Sequence, residues 1–555
     1  MAVLGGCAMA PQQASTQAPL AHMQVPLPSV NNDVTAQIMR AEFALAHGDM
    51  PAAASAYEQA ASVSSDPDVA ERAADLALTQ GDMAAAQKAL QRMRTLAAKD
   101  TALAYVEARM ALSQGHRAPA KAALLRVLAP GDRDAWSAFA QLLAGARDPA
   151  AAGLMLEALA TPKTLPAKDA SVWVAVSQLG EKLRRHTYAQ RIATAAVQHF
   201  GNAQTYTWAA QLAQENGDEA AVKTLLTKAI KAAPKDIRLR LVYASVLGKQ
   251  GHNREAQQLL ADGPQNIDVY AARAAYAARD NDTASLNKIY AQLRDAKPSE
   301  REQGMYLLGQ LADTLGKHKA ALAWYAKVPA DSEHSFDANV RRAVLLNDAG
   351  KTEQAHALAR RLATDNAEDD DLLRHAVQLD AQLYRLEHDH AGAIAAFDRG
   401  LKSLPDDAEL LYGRSLSEAD SGQAAAAIKD LRHVLKIDPD NIEAVNALGY
   451  TLADSHQHLD EATKLLTQAL AAKPDEPAVI DSWGWLQYRL GHLAEAEKAL
   501  QSAWGKLKDA DIGVHLGEVL WVQNKRKQAQ AVFEQVRKID PENAALKATL
   551  KRLHP

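Results

Sequence analysis

The sequence predicts an all-α solenoid of about 15 helical hairpins, and three observations lead to that prediction. A short pattern of glycine, alanine and proline recurs about every 34 residues over almost the whole chain. Alanine dominates the 48% hydrophobic fraction, while aromatic residues make up only 5%. Such a composition suits thin two-helix layers, which bury a continuous core only by stacking on their neighbours.

Each repeat is predicted to contain two amphipathic helices joined by a tight turn. Between Gly484 and Gly491 the apolar residues fall at helical intervals, and Gly491 stops the first helix. Ala496, Leu500 and Ala503 share one face of a second helix, where small alanines let the two helices approach closely. A proline after the second helix prevents its continuation, as at Pro234, Pro298, Pro405, Pro439, Pro474 and Pro541.

Turn glycines extend this pattern towards the N-terminus. They lie between alanine-rich helices at Gly48, Gly81, Gly115, Gly217, Gly251, Gly316, Gly350 and Gly422. The hairpins are predicted to start near residues 34, 67, 101, 133, 170, 203, 237, 267, 302, 336, 374, 408, 442, 477 and 510. Pro162 and Pro166 are expected to lengthen one connection, and the run Asp262-Gly263-Pro264 to shorten one second helix.

A larger residue separates the small residues of many second helices, and it completes a recognisable pattern. It is found at Tyr57, Leu124, Tyr290, Tyr325, Phe397 and Phe533. With the turn glycine and the terminal proline, this arrangement resembles the tetratricopeptide repeat over nearly the full chain. The resemblance implies a right-handed superhelix whose first helices line a concave groove.

The repeat boundaries divide the chain into four expected regions. Residues 1–33 are expected to form a tether, 34–266 an N-terminal repeat array, 267–543 a C-terminal array and 544–555 the end of a capping helix. A soft joint is expected near residues 262–300, where the pattern is weak. The last helix carries Lys547, Lys551 and Arg552 and is expected to close the open end of the solenoid.

The first residues resemble a bacterial lipobox. A Leu-Gly-Gly run precedes Cys7, the only cysteine of the chain, which therefore has no disulfide partner here. The resemblance implies a lipid on Cys7, and the adjacent Ala8 implies sorting to the outer membrane. Only six residues precede Cys7, fewer than a secretory signal needs, so three interpretations stay open: the sequence begins late, the signal has been trimmed, or Cys7 is unmodified.

Few residues point to chemistry. The sequence holds no phosphate-binding glycine loop, zinc-protease helix or serine-hydrolase elbow, and a net charge of −5 disfavours general nucleic-acid binding. Two histidine pairs, His388 with His390 and His456 with His458, lie at predicted turns, where solvated side chains are commoner than metal ligands. The acidic run over residues 368–371 is expected to cap a helix. We therefore expect no catalytic residue, no metal and no cofactor.

Aromatic residues concentrate near the C-terminus, where Trp483, Trp485, Trp504 and Trp521 make up half of the eight tryptophans. In tetratricopeptide arrays the second, fifth, ninth, twelfth and thirteenth residues of a first helix usually face the groove. That register predicts a partner-binding groove at Asn446, Tyr450, Asp454, Asp481, Trp485, Tyr488, Arg489, Glu518 and Trp521. Two interpretations stay open, because these aromatic side chains could anchor a peptide or form the core between repeats.

Three C-terminal blocks carry a more specific resemblance, over residues 446–454, 481–491 and 515–521. In this order they resemble a proteobacterial group of long tetratricopeptide outer-membrane lipoproteins. Members of the group are similar to an adaptor that binds a periplasmic carboxy-terminal processing protease and presents peptidoglycan hydrolases to it. Ser415 and His388 depart from the pattern, since they replace expected glycines.

The resemblance implies a non-enzymatic adaptor, anchored by a lipid to the periplasmic face of the outer membrane, whose partners are proteins. A scaffold for assembly of a pilus, secretin or polysaccharide exporter is the main alternative. A soluble cytoplasmic scaffold and an enzyme are further alternatives, and the enzyme would require a non-repeat domain that the sequence does not reveal.

Overall fold

The computed structural model describes residues 33–553, which form 32 helices and no strand. The chain divides into two compact units, the first ending at Gln265 and the second beginning at Asn266. Consecutive helices pair into 15 hairpins, numbered here in chain order, with one short and one terminal helix unpaired. The predicted fold class and number of hairpins are therefore confirmed for the described residues, while the handedness of a superhelix stays a prediction.

The first unit contains hairpins 1–7. Its helices are α1 (Val34–Ala46), α2 (Met50–Val63), α3 (Pro67–Gln80), α4 (Met83–Thr95), α5 (Asp100–Ser113), α6 (Arg117–Val127), α7 (Arg133–Ala144), α8 (Pro149–Leu159), α9 (Ala170–Lys182), α10 (His186–Phe200), α11 (Ala203–Glu215), α12 (Glu219–Ala232), α13 (Ile237–Lys249) and α14 (Asn253–Ala261). The long connection before α9 and the early end of α14 both follow the predicted proline positions.

The second unit contains hairpins 8–15. Its helices are α15 (Ile267–Arg279), α16 (Thr283–Arg294), α17 (Pro298–Gln303), α18 (Met305–Thr314), α19 (His318–Tyr325), α20 (Ser335–Asp348), α21 (Thr352–Asp365), α22 (Asp370–Leu386), α23 (His390–Leu401), α24 (Ala408–Asp420), α25 (Ala424–Ile437), α26 (Ile442–Asp454), α27 (Leu459–Ala472), α28 (Pro477–Arg489), α29 (Leu493–Lys506), α30 (Ala510–Val522), α31 (Arg526–Ile539) and α32 (Ala544–Leu553). None of the described helices combines the length and apolar character that a membrane crossing requires.

Two hairpin starts differ from the prediction, each for a local reason. Hairpin 9 begins at Met305 because Pro298 starts a separate short helix, α17, that ends at Gln303 and is separated from α18 by Gly304. A Cβ on Gly304 would lie 2.9 Å from a methyl group of Leu293, so glycine permits this close approach. Hairpin 11 begins at Asp370 because Asp369 caps α22 and accepts hydrogen bonds from two backbone amides. The acidic run therefore caps a helix, as predicted.

Glycine also lets the two helices of a hairpin pack closely. A Cβ on Gly449 would lie 2.6 Å from Leu466, and one on Gly484 would lie 2.8 Å from Leu500. Both leucines are completely buried, so the neighbouring side chain has no space into which to move. The predicted larger residues of the second helices are buried as well, from Tyr57 to Phe533.

The turn after the first helix contains a left-handed residue in every described hairpin except hairpin 4, where Gly145 has φ −93°, and glycine usually supplies it. All eight traced turn glycines and Gly491 have φ between 68° and 85°. His388 occupies this place in hairpin 11 with φ 59°, and His456 does so in hairpin 13 with φ 56°. The turn histidines are thus strained substitutes for glycine.

Replacing His388 by glycine is expected to stabilise the protein by about 0.5–1 kcal/mol, because relief of left-handed strain exceeds the entropy that glycine adds to the unfolded chain. The matched change is Gly350→His in hairpin 10, where φ is 70°, and it should destabilise by a similar amount. Urea denaturation measures both effects. Equal stability of the two variants would contradict this explanation.

Candidate partner-binding surface

The predicted groove residues lie on α26, α28 and α30, the first helices of the last three hairpins. The structure brings three of the nine into one cluster around a residue that the prediction did not include, His515 on α30. His515 contacts Tyr450 of α26 and both Asp481 and Trp485 of α28. One imidazole thereby links three consecutive hairpins across 65 residues of sequence.

Both ring nitrogens of His515 have oxygen partners. Its Nδ1 lies 2.9 Å from Asp481 Oδ2 and 3.0 Å from Oδ1, and its Nε2 lies 3.3 Å from the Tyr450 hydroxyl. The Trp485 ring stacks on the imidazole with centroids 4.1 Å apart. The side chain of His515 is only 11% exposed, so hydrogen bonds and stacking together fix its orientation.

Neighbouring carboxylates shift the pKa values of His515 and Tyr450. Burial acts to lower the pKa of His515, but attraction to Asp481, reinforced by Asp511 and Asp454, outweighs burial and raises the pKa above its ordinary value. Burial and the same carboxylates raise the pKa of Tyr450 well above its ordinary value, so Tyr450 stays a neutral phenol. The cluster therefore places an imidazole of raised pKa among carboxylates from three helices.

Trp485 forms a wall of this cluster. It is 4% exposed, and its Nε1 donates a hydrogen bond of 2.9 Å to Asp454 Oδ1. Arg489 donates to the backbone oxygens of Ala453 and Asp454, the last residues of α26, at 3.2 and 2.9 Å. The arginine therefore caps the C-terminus of α26, where the helix dipole favours a cation.

Glu518 and Tyr488 belong to a neighbouring network. Glu518 is 1% exposed, and Arg552 of α32 donates to its two oxygens at 2.7 and 2.6 Å. The Tyr488 hydroxyl donates to Glu518 at 3.0 Å, and burial together with this carboxylate raises the pKa of Tyr488 to about 12. The capping helix α32 thus does more than cover apolar surface, because it neutralises a buried carboxylate.

The other predicted groove residues differ in accessibility. Trp521 is 7% exposed and packs in the core of the last hairpins, with Arg526 lying 3.8 Å over its ring. Asn446 is half-buried, and its Oδ1 lacks a hydrogen-bond partner among the described residues. Asp454 and the unpredicted Asp511 are exposed. The surface offered to a partner therefore consists of carboxylates and the edges of aromatic residues, rather than of open tryptophan rings.

The sequence contained a spacing pattern that could have identified His515 as a residue of this cluster. Asp511, His515 and Glu518 are spaced i, i+4, i+7 on the otherwise apolar helix α30, which places them along one stripe. The prediction of the groove residues relied on repeat register and on aromatic residues, and it therefore omitted His515. The stripe indicates the side of α30 that faces Asp481 and Arg552.

No group of three or more histidine, cysteine or acidic residues within 33–553 is arranged to hold a metal. Cys7 and the tether lie outside the described residues, so the lipid prediction has no structural counterpart here.

A second, partly buried charge cluster joins hairpins 11 and 12. Arg414 donates hydrogen bonds of 2.7 Å to Asp430 and 2.6 Å to Asp398. Glu418, whose side chain is 9% exposed, is only 3.8 Å from the same guanidinium, and its Oε2 is buried without a hydrogen-bond partner among the described residues. Burial, and then repulsion by Asp430, raise the pKa of Glu418 to about 7.

The raised pKa of Glu418 predicts a loss of stability with rising pH. Since the carboxyl group is protonated in both states below about pH 4.5 but resists ionisation in the fold, stability should fall between about pH 4.5 and 7. Glu418→Gln should stabilise the protein above pH 7 by roughly 2–3 kcal/mol, and not at pH 4. Urea denaturation at both pH values tests this prediction, and an equal gain at both would contradict it.

Comparison with known proteins supports the repeat class. Two models of the tetratricopeptide repeat match residues 418–482 and 302–328. A tetratricopeptide repeat-containing protein of Pseudomonas aeruginosa is 37% identical over 211 residues, which are 38% of this chain and 35% of that protein's length.

Solved tetratricopeptide structures are similar at low identity. A protein from Parabacteroides merdae matches with a TM-score of 0.38 and 14% identity, covering 46% of this chain and 99% of that one. A protein from Thermus thermophilus matches with a TM-score of 0.29 and 21% identity, covering 32% of this chain and 96% of that one. The chain therefore contains tetratricopeptide repeats at residues 302–328 and 418–482, within an array of 15 helical hairpins over the described residues.

Proposed function

We propose that this protein is a non-enzymatic adaptor, which binds a periplasmic carboxy-terminal processing protease and its peptidoglycan-hydrolase substrates and promotes their degradation. The observation that carries the proposal is the ordered inner surface of hairpins 13–15, where Tyr450, Asp481, Trp485 and His515 hold one another in fixed positions. A surface ordered before binding loses little entropy when a partner docks. Tetratricopeptide solenoids generally serve as protein-binding scaffolds, and the resemblance of the C-terminal blocks favours this class of partner.

The proposed mechanism is co-localisation. A lipid on Cys7 would hold the adaptor at the periplasmic face of the outer membrane. Docking of protease and substrate on one solenoid raises their effective concentration towards the millimolar range without new chemistry. The adaptor itself needs no cofactor and no metal.

The primary test is an affinity purification from detergent-solubilised envelopes, using the full-length protein with an intact upstream signal. Recovery of a carboxy-terminal processing protease with cell-wall hydrolases, followed by faster hydrolase degradation in a reconstituted mixture, is the expected result. Recovery of pilus, secretin or polysaccharide-export components without a protease would replace this proposal by the assembly-scaffold alternative.

Variants locate the docking surface. Asp454→Arg and Asp511→Arg reverse exposed charges on the inner surface and should weaken capture of the protease. Glu534→Arg on α31 is the matched control, because Glu534 is 61% exposed and, within residues 33–553, its one ion pair is with Arg537 on its own helix. Equal capture by all three variants would remove the inner surface from the proposal.

Lipid anchoring through Cys7 can be tested separately, by incorporation of a labelled lipid precursor. Wild-type protein should incorporate a labelled lipid precursor, and Cys7→Ser should not. If the wild type, expressed with its signal, took up no label, the lipid anchor would be removed from the proposal and the scaffold role would stay.

A further inference from the structure

The exposed sides of the second helices in hairpins 3–6 form a surface that is separate from the groove between the first helices. These second helices are α6, α8, α10 and α12, and their hairpins stack in order, because α5 packs on α7, α7 on α9 and α9 on α11. Residues 101–250 carry 19 lysines and arginines against 11 aspartates and glutamates, whereas residues 351–500 carry 15 against 27. Positive charge is therefore concentrated in one part of an acidic chain.

Five exposed cations on this surface lack a carboxylate partner. They lie on α6, α10 and α12 or directly after α12, and they make no ion pair within residues 33–553: Lys121, Arg191, Lys228, Lys231 and Lys235. Lys228 and Lys231 are one helical turn apart, and Lys235 follows the proline that comes after α12. The positive charge of these side chains is therefore available to a ligand.

Most carboxylates beside these cations are already neutralised. Three of them form ion pairs, namely Asp148 with Arg117 at 3.9 Å, Glu157 with Arg185 at 2.5 Å and Glu255 with Lys223 at 3.1 Å. Glu219, in the first turn of α12, has no ion-pair partner in the described part of the chain. The surface therefore keeps an excess of unpaired positive charge, which attracts an anionic partner.

Aliphatic side chains accompany the cations. Leu125 on α6 is 51% exposed and Leu154 on α8 is 50% exposed, with exposed alanines beside them. We call these two leucines and the five unpaired cations the cationic outer face. None of the tryptophan, tyrosine or phenylalanine residues on α6, α8, α10 and α12 is exposed. Protein interfaces are enriched in aromatic residues and depleted in lysine and alanine, so this composition favours a bilayer surface over a protein partner.

We propose that the cationic outer face of hairpins 3–6 binds a bilayer that contains anionic phospholipids, with its cations at the lipid phosphates and Leu125 and Leu154 at the acyl boundary. Clusters of four to eight lysines and arginines bind such membranes, and each cation strengthens binding roughly fivefold. One acyl chain alone gives weak, reversible attachment, which a basic surface converts into stable anchoring. The inference goes beyond the proposed function, because it requires neither the protease nor a lipid on Cys7.

The test uses the full-length protein with Cys7→Ser, so that no attached lipid contributes to binding. Sedimentation measures its binding to vesicles of phosphatidylcholine alone and to vesicles of phosphatidylcholine mixed with phosphatidylglycerol. We expect binding to the mixed vesicles only, and a loss of binding when the salt concentration is raised, because salt screens exposed charges. Equal binding to both kinds of vesicle would overturn the proposal. Absence of binding to either would also overturn it, and would favour an acidic protein surface as the partner.

Variants locate the contact. The triple variant Lys228→Glu/Lys231→Glu/Lys235→Glu should weaken binding to the mixed vesicles at least about 100-fold. The matched control reverses three exposed lysines of α25, α27 and α29 that make no ion pair within residues 33–553, as Lys436→Glu/Lys464→Glu/Lys498→Glu. It changes the net charge by the same amount and should leave binding unchanged. Equal weakening by both triple variants would show that only net charge matters and would overturn the proposal.

The two leucines have a separate measurement. Leu125→Gln/Leu154→Gln keeps every charge of the cationic outer face and should weaken binding to the mixed vesicles about tenfold, because half-exposed leucines gain from leaving water. Full binding by this variant would remove the apolar contact from the proposal. Circular dichroism of each variant checks that it folds.

Discussion

Trp485→Ala is expected to destabilise the C-terminal hairpins by about 3–5 kcal/mol, the usual cost of truncating a buried aromatic residue. The indole is 4% exposed, stacks on His515 and donates to Asp454, so its removal opens a cavity and breaks a hydrogen bond. The sequence alone left open whether Trp485 anchors a peptide or packs in the core between repeats, and its burial favours the core. Hydrogen exchange is the appropriate measurement, because stability in a solenoid is partly local. Amides of α28 and α30 should exchange faster, while those of the first unit should not.

Trp485→Phe separates packing from hydrogen bonding. Phenylalanine keeps most of the apolar contact with His515 but loses the Nε1 donor, so we expect a cost of about 1 kcal/mol. If the amides of Trp485→Ala exchanged as slowly as those of the wild type while partner binding weakened, the indole would act at the surface, contrary to its burial.

Arg552→Met should lower the free energy of unfolding of the last hairpin by about 3 kcal/mol, because it leaves the carboxylate of Glu518 buried without its cation. Arg552 donates to both oxygens of Glu518, which is 1% exposed, and in the described part of the chain only the Tyr488 hydroxyl would remain as its hydrogen-bond partner. Hydrogen exchange across α30 and α32 measures the loss. The arginine itself is 57% exposed, so water can hydrate part of the site after its removal and limit the effect.

Two further variants define this effect. Lys551→Met changes the neighbouring exposed cation of α32 and should alter stability by less than about 0.5 kcal/mol. Glu518→Gln removes the buried charge, so Arg552→Met should cost much less in that background. Equal effects of Arg552→Met and Lys551→Met would exclude a specific role for the pair.

The hairpin architecture was predictable because its signals are local. Gly491, Asp369 and Pro298 each act on the backbone within a few residues of themselves, through left-handed turns, capping or a missing amide hydrogen. Errors arose where two local signals competed, as at the start of hairpin 9, where a proline begins an extra helix before the hairpin.

The candidate surface was predictable only in part. Register placed Tyr450, Asp481 and Trp485 on one side of their helices, and the structure does bring them together. Register could not tell that Trp485 and Trp521 are nearly buried, or that Glu518 is committed to Arg552. Exposure depends on how far neighbouring hairpins tilt towards each other, and that tilt is the sum of many packing contacts.

By itself, the sequence determined a repeat of two helices, its approximate period and the positions of its turns, since helix formation and termination depend on nearby residues. Only the tertiary structure decided which inner residues fill space and which leave it open. His515 contacts Tyr450, 65 residues away in sequence, and fills the space between the first helices of hairpins 13 and 15. Between the first helices of hairpins 4 and 5, small side chains leave a cavity instead. Whether a side chain fills the space between two helices depends on the distance between those helices, and no local sequence pattern encodes that distance.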